Sequence, residues 1–104
     1  MKKIVVFVPI KNADEVRNAI GEAGGGKIGN YDFCFFSTIG LSKFRPLPGA
    51  NPTIGEIGKI EEVEEERIEF VAEDEDVPEI VAAIRRVHPY EEVVFDVYNL
   101  IQFE

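Results

Sequence analysis

The only histidine of the chain, His88, opens a short polar corner whose residue types could bind a metal or move protons. The corner reads His88-Pro89-Tyr90-Glu91-Glu92, an imidazole followed by two carboxylates. Imidazole nitrogens and carboxylate oxygens are common metal ligands, and histidine titrates near neutral pH. No second histidine is present, and no carboxylate follows four residues later on a helix. The spacing therefore favours a role in ending a helix, where the helix dipole stabilises a partial positive charge.

The tripeptide Phe44-Arg45-Pro46 is a second group with the chemistry for binding. The guanidinium of Arg45 is a planar fork of donors that can hold a carboxylate or a phosphate. It could equally pair with the acidic residues 61–76, in its own or in a neighbouring subunit. The sequence leaves these two interpretations open.

Residues 61–76 are strongly acidic, with ten of the twenty acidic side chains and a single arginine. Carboxylates bind divalent cations, but the residue spacing of a calcium-binding loop is absent. The simpler interpretation is a solvated strand face whose charge discourages pairing with other sheets.

Two further groups have structural explanations. Cys34 lies between Phe33 and Phe35, where a cysteine usually acts as a small hydrophobic residue. One cysteine excludes an internal disulfide, which is consistent with a reducing, cytoplasmic location. The run from Gly24 to Lys27 resembles a phosphate-binding loop, but it follows a predicted helix and precedes a predicted strand. We therefore interpret it as a helix end and a hinge.

Two helices are predicted from their caps and from apolar residues at helical spacing. Asn12 and Glu15 have the spacing of a capping box, and Gly24 suits the left-handed position after the helix. Asp76 begins a second helix in the same way. Pro89 ends that helix, because the residue before a proline is displaced from helical geometry.

Four strands are predicted, at residues 3–9, 31–39, 60–72 and 93–101. A loop over residues 40–58, rich in glycine and proline, separates the second strand from the third. Loops of this length in a small domain usually have a function. The order β-α-β-loop-β-α-β predicts an α+β, ferredoxin-like sandwich, with a four-stranded antiparallel sheet and two helices on one face.

The first, second and fourth strands are apolar at consecutive positions, so both faces of the sheet should be apolar. Two helices cover only one face. Because soluble monomers avoid large exposed apolar patches, we expect another copy of the chain to cover the other face. The sequence therefore predicts a homo-oligomer.

Length and charge exclude several classes of function. A chain of 104 residues predicts a single domain spanning residues 1–104. Its net charge of −9 disfavours nucleic acids and anionic membranes as partners. No apolar run approaches the length of a membrane span. No activated nucleophile or acid–base pair can be read in the sequence, so we do not expect an enzyme.

Four motifs together resemble a known family. They are G-x-I-G-N-Y-D at residues 26–32, F-R-P at 44–46, G-A-N-P-x-I-G at 49–55 and H-P-Y-E-E at 88–92. They resemble the domain inserted into many bacterial members of the Nif-three-like family (NGG-interacting factor three, YqfO-like proteins), of which short free-standing versions also exist. The resemblance covers almost the whole chain.

The resemblance implies more than the spacing does. The inserted domain is similar to the CutA and PII proteins, which share the ferredoxin-like fold and commonly form trimers. The loop at residues 40–58 lies where PII proteins have their ligand- and partner-binding loop. The two-metal site of the family belongs to a larger flanking domain that this chain lacks. We therefore carry over neither metal ligands nor hydrolase activity.

The resulting hypothesis is a non-enzymatic, oligomeric binding or regulatory module of the PII/CutA type. A trimer is favoured over a dimer, and the small ligand or protein partner is unknown. One alternative is divalent-metal binding in the manner of CutA, through His88 with Glu91, Glu92 or Cys34. Another is a purely structural oligomerisation or lid domain. The predicted ligand-binding residues are Tyr31, Asp32, Phe44, Arg45, Asn51, His88, Tyr90, Glu91 and Glu92.

Overall fold

A computed structural model of the protein describes residues 1–101 and 103. Short 3-10 turns, Ile10–Asn12 and Asp74–Asp76, lead into the two helices. The remaining elements, in chain order, are β1 (Lys2–Pro9), α1 (Ala13–Glu22), β2 (Phe36–Phe44), β3 (Glu61–Ala72), α2 (Val77–Val87) and β4 (Phe95–Asn99).

The strands form one antiparallel sheet in the order β2-β3-β1-β4. The helices connect strands that follow each other in sequence but are not adjacent in the sheet: α1 joins β1 to β2, and α2 joins β3 to β4, as in the predicted ferredoxin-like sandwich. The prediction of the fold class is therefore confirmed. β2 and β4 are the two edge strands.

The core lies between the helices and one face of the sheet. Alternate residues of β1 and β3 point towards this face, because side chains along a strand alternate in direction. Val6, for example, lies opposite Ile68 on β3 and Phe95 on β4. Each helix presents an apolar stripe to the same cluster. The fully buried members are Ile4, Val6, Val8, Val16, Ile20, Ile68, Ile80 and Ile84.

The end of α1 follows the prediction. Gly24 has a positive φ of 101°. Its N–H donates to the Gly21 carbonyl at 3.2 Å, and the Gly25 N–H donates to the Ile20 carbonyl at 2.9 Å. This pair of hydrogen bonds is the Schellman arrangement, which satisfies carbonyls at the end of a helix.

The predicted side-chain caps are wrong. Neither Asn12 nor Asp76 makes a side-chain capping hydrogen bond. Each follows a 3-10 turn and has nearly helical backbone angles, whereas a capping side chain requires an extended backbone. The Asn12 Oδ1 atom is buried, and it has no hydrogen-bond partner among the described residues.

The predicted position of the second strand is also wrong. β2 starts at Phe36 rather than at residue 31, and it continues to Phe44, through residues assigned to the loop. Phe33 has a positive φ of 52°, which interrupts extended structure before the strand. The irregular segment between β2 and β3 therefore covers residues 45–60 rather than 40–58. We call it the long loop.

The face of the sheet away from the helices, which we call the open face, is less uniformly apolar than predicted. Val5 on this face is buried, but it lies in a row with Glu69 of β3 and Asp96 of β4. The strongly exposed apolar residues of β2 lie on both sides of that strand. They are Phe36 on the open face, and Ile39 and Leu41 on the helix side.

Candidate ligand-binding site

A cavity of about 570 Å³ lies on the open face, between the long loop and residues 88–94. We call residues 88–94 the corner segment. The sheet contributes the floor, because Phe7 and Glu65 point away from the helices. The lining is mainly apolar, as is usual for small-molecule sites. It comprises Phe7, Ser42, Lys43, Phe44, Arg45, Pro46, Leu47, Ala50, Pro52, Thr53, Ile54, Glu65, Tyr90, Glu91, Glu92 and Val94.

The long loop is attached to the corner segment by specific contacts. The Asn51 backbone N–H donates to Glu91 Oε2 at 3.1 Å. The Thr53 hydroxyl donates to the Pro89 carbonyl at 2.8 Å. The rings of Phe44 and Tyr90 lie 6.1 Å apart, centre to centre. Segments that are distant in sequence therefore form two walls of one cavity.

The base of the long loop is closed by its own backbone. The Gly58 N–H donates to the Pro46 carbonyl at 2.8 Å, and Pro46 itself is buried. Gly58 has a positive φ of 81°, a conformation that glycine adopts without the strain of a Cβ atom. The loop is therefore compact at its attachment to the sheet, as in other loops with close ends.

His88 ends α2, as the sequence indicates. Its side chain also contacts the backbone of Phe7 and Tyr90, two residues that line the cavity. Its N–H donates to the Ile84 carbonyl at 2.9 Å. The side chain is buried, and its Nε2 lies 2.7 Å from the Phe7 carbonyl oxygen. Its Nδ1 accepts a hydrogen bond from the Tyr90 backbone N–H at 3.1 Å. Both ring nitrogens are thus used for structure, with a proton on Nε2 facing the carbonyl.

The least expected part of the site is a polar group in its floor. Glu65 is buried and accepts a short hydrogen bond from the Ser42 hydroxyl. The Tyr90 hydroxyl is buried and has no hydrogen-bond partner among the described residues. Burial and the nearby Glu65 carboxylate raise the pKa of Tyr90, so this hydroxyl remains protonated at neutral pH.

Neither Glu65 nor Ser42 was predicted from the sequence to be a site residue. Glu65 lies within the acidic segment that we interpreted as solvated, so for this residue the interpretation is wrong. The available signal was the two-residue alternation of β3, which places Glu65 on the face opposite Ile68. The alternation alone could not show that Tyr90 of the corner segment lies beside this position.

Arg45 lies at the cavity and is exposed. Among residues 1–101 and 103 it has no ion pair, so it does not pair with the acidic segment of its own chain. Pairing with a carboxylate or phosphate of a ligand, or with another subunit, stays a prediction. The other cation of the lining, Lys43, is paired with Glu62 at 3.2 Å.

Three of the predicted site residues lie elsewhere. Tyr31 and Asp32 are exposed in a tight turn, where Tyr31 pairs with Ile28. The Cys34 backbone N–H donates to the Gly26 carbonyl, and the Gly26 N–H donates to Val71 of β3. Val71 is separated from Glu65 by roughly 20 Å along the strand, at about 3.3 Å per residue. The structure therefore does not place Tyr31, Asp32 or Cys34 at the cavity.

The described residues contain no cluster of three or more His, Cys, Asp or Glu side chains that could hold a metal ion. Cys34 is remote from His88, and the nitrogens of His88 are engaged as described above. Neither α1 nor α2 has the length and apolar character of a transmembrane segment.

No family model matches the chain. It is 47% identical over 98 residues to a "GTP cyclohydrolase 1 type 2 homolog" of Halalkalibacterium halodurans. It is 44% identical over 102 residues to the protein of the same name in Bacillus subtilis. These alignments cover 94% and 98% of this chain, but only 26% and 27% of the relatives. The chain is similar to one segment of these proteins.

Solved structures agree with this result. A Bacillus cereus protein related to NIF3 superimposes with a TM-score of 0.85 and 46% identity, over 97% of this chain and 26% of that protein. The predicted resemblance to the Nif-three-like family is therefore confirmed for that segment.

Two CutA proteins share the fold of this chain. CutA of Archaeoglobus fulgidus superimposes with a TM-score of 0.70 and 17% identity, over 100% of this chain and 88% of that protein. The PII-like protein CutA of Nostoc gives a TM-score of 0.69 and 16% identity, over 96% and 81% of the two chains. At this level of identity the similarity concerns the fold alone.

Proposed function

We propose that the chain is a non-enzymatic binding module that holds a small ligand in the cavity between the long loop and the corner segment. The cavity itself is the observation that carries this proposal. Its volume of about 570 Å³ lies within the range of small-molecule sites, roughly 300–1,000 Å³. The few polar groups in an apolar lining are of the kind that orient a ligand.

The proposal assigns no reaction to the chain. The histidine, His88, has both ring nitrogens engaged in hydrogen bonds. The only thiol, Cys34, lies at the opposite end of β3. The names of the relatives refer to proteins about four times longer than the matched segment, so an activity of those proteins is not transferred to it.

We further propose that the module is a homo-oligomer. Ile39 and Leu41 of β2 are each more than 60% exposed, and they lie on an edge strand. An unpaired edge with apolar side chains is suited to contact with another copy. The ligand cavity and this edge involve different side chains, so binding and assembly can be tested separately.

The binding proposal is tested by screening small molecules with amide NMR spectra of the isotopically labelled protein. We expect some compounds to shift resonances of the long loop and the corner segment together. Ala50→Phe should abolish these shifts, because it places a ring inside the cavity. Ala82→Phe is the matched control, since Ala82 is exposed on α2. Shifts confined to other surfaces, or equal binding by Ala50→Phe, would overturn the proposal.

A further inference from the structure

Glu65 differs from the other carboxylates of its strand. Within residues 1–101 and 103 it is the one buried acidic side chain, at 5% exposure. Among its neighbours, Glu62 pairs with Lys43 at 3.2 Å, Glu66 pairs with Arg17, and Glu69 pairs with Lys3 at 3.6 Å. In the same described residues Glu65 has no cationic partner. Glu61 and Glu64 of β3 also lack an ion pair among the described residues, but neither is buried, so Glu65 is the buried carboxylate without a counter-charge.

The hydrogen bonds around Glu65 leave part of its capacity unused. Two carboxylate oxygens offer about four acceptor positions. The Ser42 hydroxyl fills one of them, at Oε1. The Tyr90 hydroxyl lies beside the same carboxylate and can fill a second position, so about two remain free. Because burial of an ionised carboxylate is costly without donors or a cation, a cationic donor entering the cavity would stabilise this group.

The charged side chains of the lining are three carboxylates and two cations, so the lining is net negative. Glu91 and Glu92 face the cavity together with Glu65, against Lys43 and Arg45. Lys43 is already paired with a carboxylate outside the cavity. The apolar lining around these groups lowers the local dielectric and strengthens a charge interaction inside it. A cation with an apolar body therefore complements both features of the cavity.

We infer that the cavity binds a small organic cation, with an ammonium or amidinium group against the Glu65 carboxylate and an aromatic or aliphatic body between Phe7, Phe44 and Val94. This inference rests on the proposed binding function and names the ligand class for the same site. The cationic N–H groups donate to free acceptor positions of Glu65.

The experiment titrates phenethylammonium into the protein at pH 7 and follows it by calorimetry and amide NMR. Phenethyl alcohol is titrated in parallel, because it has the same body without the charge. We expect the ammonium to bind with shifts at Glu65 and Tyr90. Glu65→Gln should weaken this binding by at least about tenfold, since a charge-assisted hydrogen bond becomes a neutral one.

Glu64→Gln is the matched control. Glu64 is adjacent in sequence and loses the same charge, but it is exposed and lies on the other side of the strand. It should bind phenethylammonium as the wild type does. A melting temperature for Glu65→Gln close to that of the wild type would show that this variant keeps its fold.

The outcomes separate this inference from the binding function. Equal binding of the alcohol and the ammonium, or unchanged binding by Glu65→Gln, would leave the cavity a binding site but overturn the ligand class. No binding of either compound at millimolar concentration, with no hits in the wider screen, would overturn both. If Glu65→Gln instead dissociated the oligomer, the cation would come from a second copy, and the inference would be wrong.

Discussion

Glu64 and Glu65 are adjacent in a uniformly acidic sequence, yet they lie in opposite environments. Glu64 is exposed, whereas Glu65 is buried beneath the corner segment and accepts a hydrogen bond from Ser42. The difference follows from side-chain alternation along β3 and from the corner segment, whose Tyr90 lies beside Glu65. Residue type alone thus allows a glutamate of this strand to be exposed or buried, and contacts with other segments decide which it is.

His88 is a second residue whose role is set by its contacts, and a single substitution tests that role. Its imidazole satisfies the Phe7 carbonyl and the Tyr90 N–H at once. His88→Ala should lower the free energy of unfolding by about 2–4 kcal/mol, because two buried backbone groups lose their partner and a cavity forms. Urea denaturation followed by circular dichroism measures this change.

Glu92→Ala serves as the control for that measurement. Glu92 belongs to the same corner segment but is exposed, so its loss should change stability by less than about 0.5 kcal/mol. Equal unfolding midpoints for the two variants would contradict a supporting role for His88.

At the scale of elements, the glycine run after α1 is more than a hinge. Gly25 fits beneath Ile20 and Phe70, where a Cβ atom would come within 2.8 Å of either side chain. Gly26 joins the end of β3 to the segment before β2, through hydrogen bonds to Val71 and Cys34. The run therefore lets the backbone pass close to the sheet, which side chains would prevent.

We expect Gly26→Ala to destabilise the protein by about 2–4 kcal/mol. Its φ is +81°, and a Cβ atom would lie 2.9 Å from the Cys34 carbonyl oxygen, so both strain and a backbone clash arise. Gly29→Ala, which has a positive φ but open space, should lose only about 1 kcal/mol. Gly40→Ala, with neither constraint, should be neutral. Thermal unfolding of the three variants should give this order, and a neutral Gly26→Ala would refute it.

At the scale of the whole molecule, the described residues form an elongated body of 49 × 24 × 24 Å. β2 and β3 pair from Phe36–Glu69 to Phe44–Glu61, and they continue beyond Pro9, where β1 ends opposite Glu65. The far half of this hairpin therefore extends past the last β1 residue that pairs with β3. Leu41 lies in this half, opposite Glu64, and is strongly exposed.

Ile39→Glu should shift the assembly towards smaller species in sedimentation velocity. A buried contact between copies would then contain a charge without a partner, which weakens association. Ala82→Glu adds the same charge on the outer face of α2 and should leave the sedimentation coefficient unchanged. A wild-type protein that sediments as a monomer at micromolar concentration would contradict the proposed homo-oligomer.

Much of the fold was predictable because its signals are local. The continuous apolar run of β1, the helical spacing of α1 and α2, and Gly24 and Pro89 each act within a few residues. The order of these elements was then enough to predict the ferredoxin-like sandwich. Of the candidate site, the grouping of Phe44 and Arg45 with residues 88–92 was predicted from the long loop together with the family resemblance.

The rest depended on contacts between distant segments. Phe33 and Phe35 are aromatic residues of the type common in strands. Phe33 packs against Gly21 and Phe35 against Phe70, so neither continues β2. Tertiary packing thus shifted the strand and removed Tyr31, Asp32 and Cys34 from the cavity. The sequence by itself determined the elements and their order, because those follow from local periodicity. Only the tertiary structure decided which carboxylate is buried, because the burial of Glu65 depends on Ser42 of β2 and Tyr90 of the corner segment, which are distant from it in sequence.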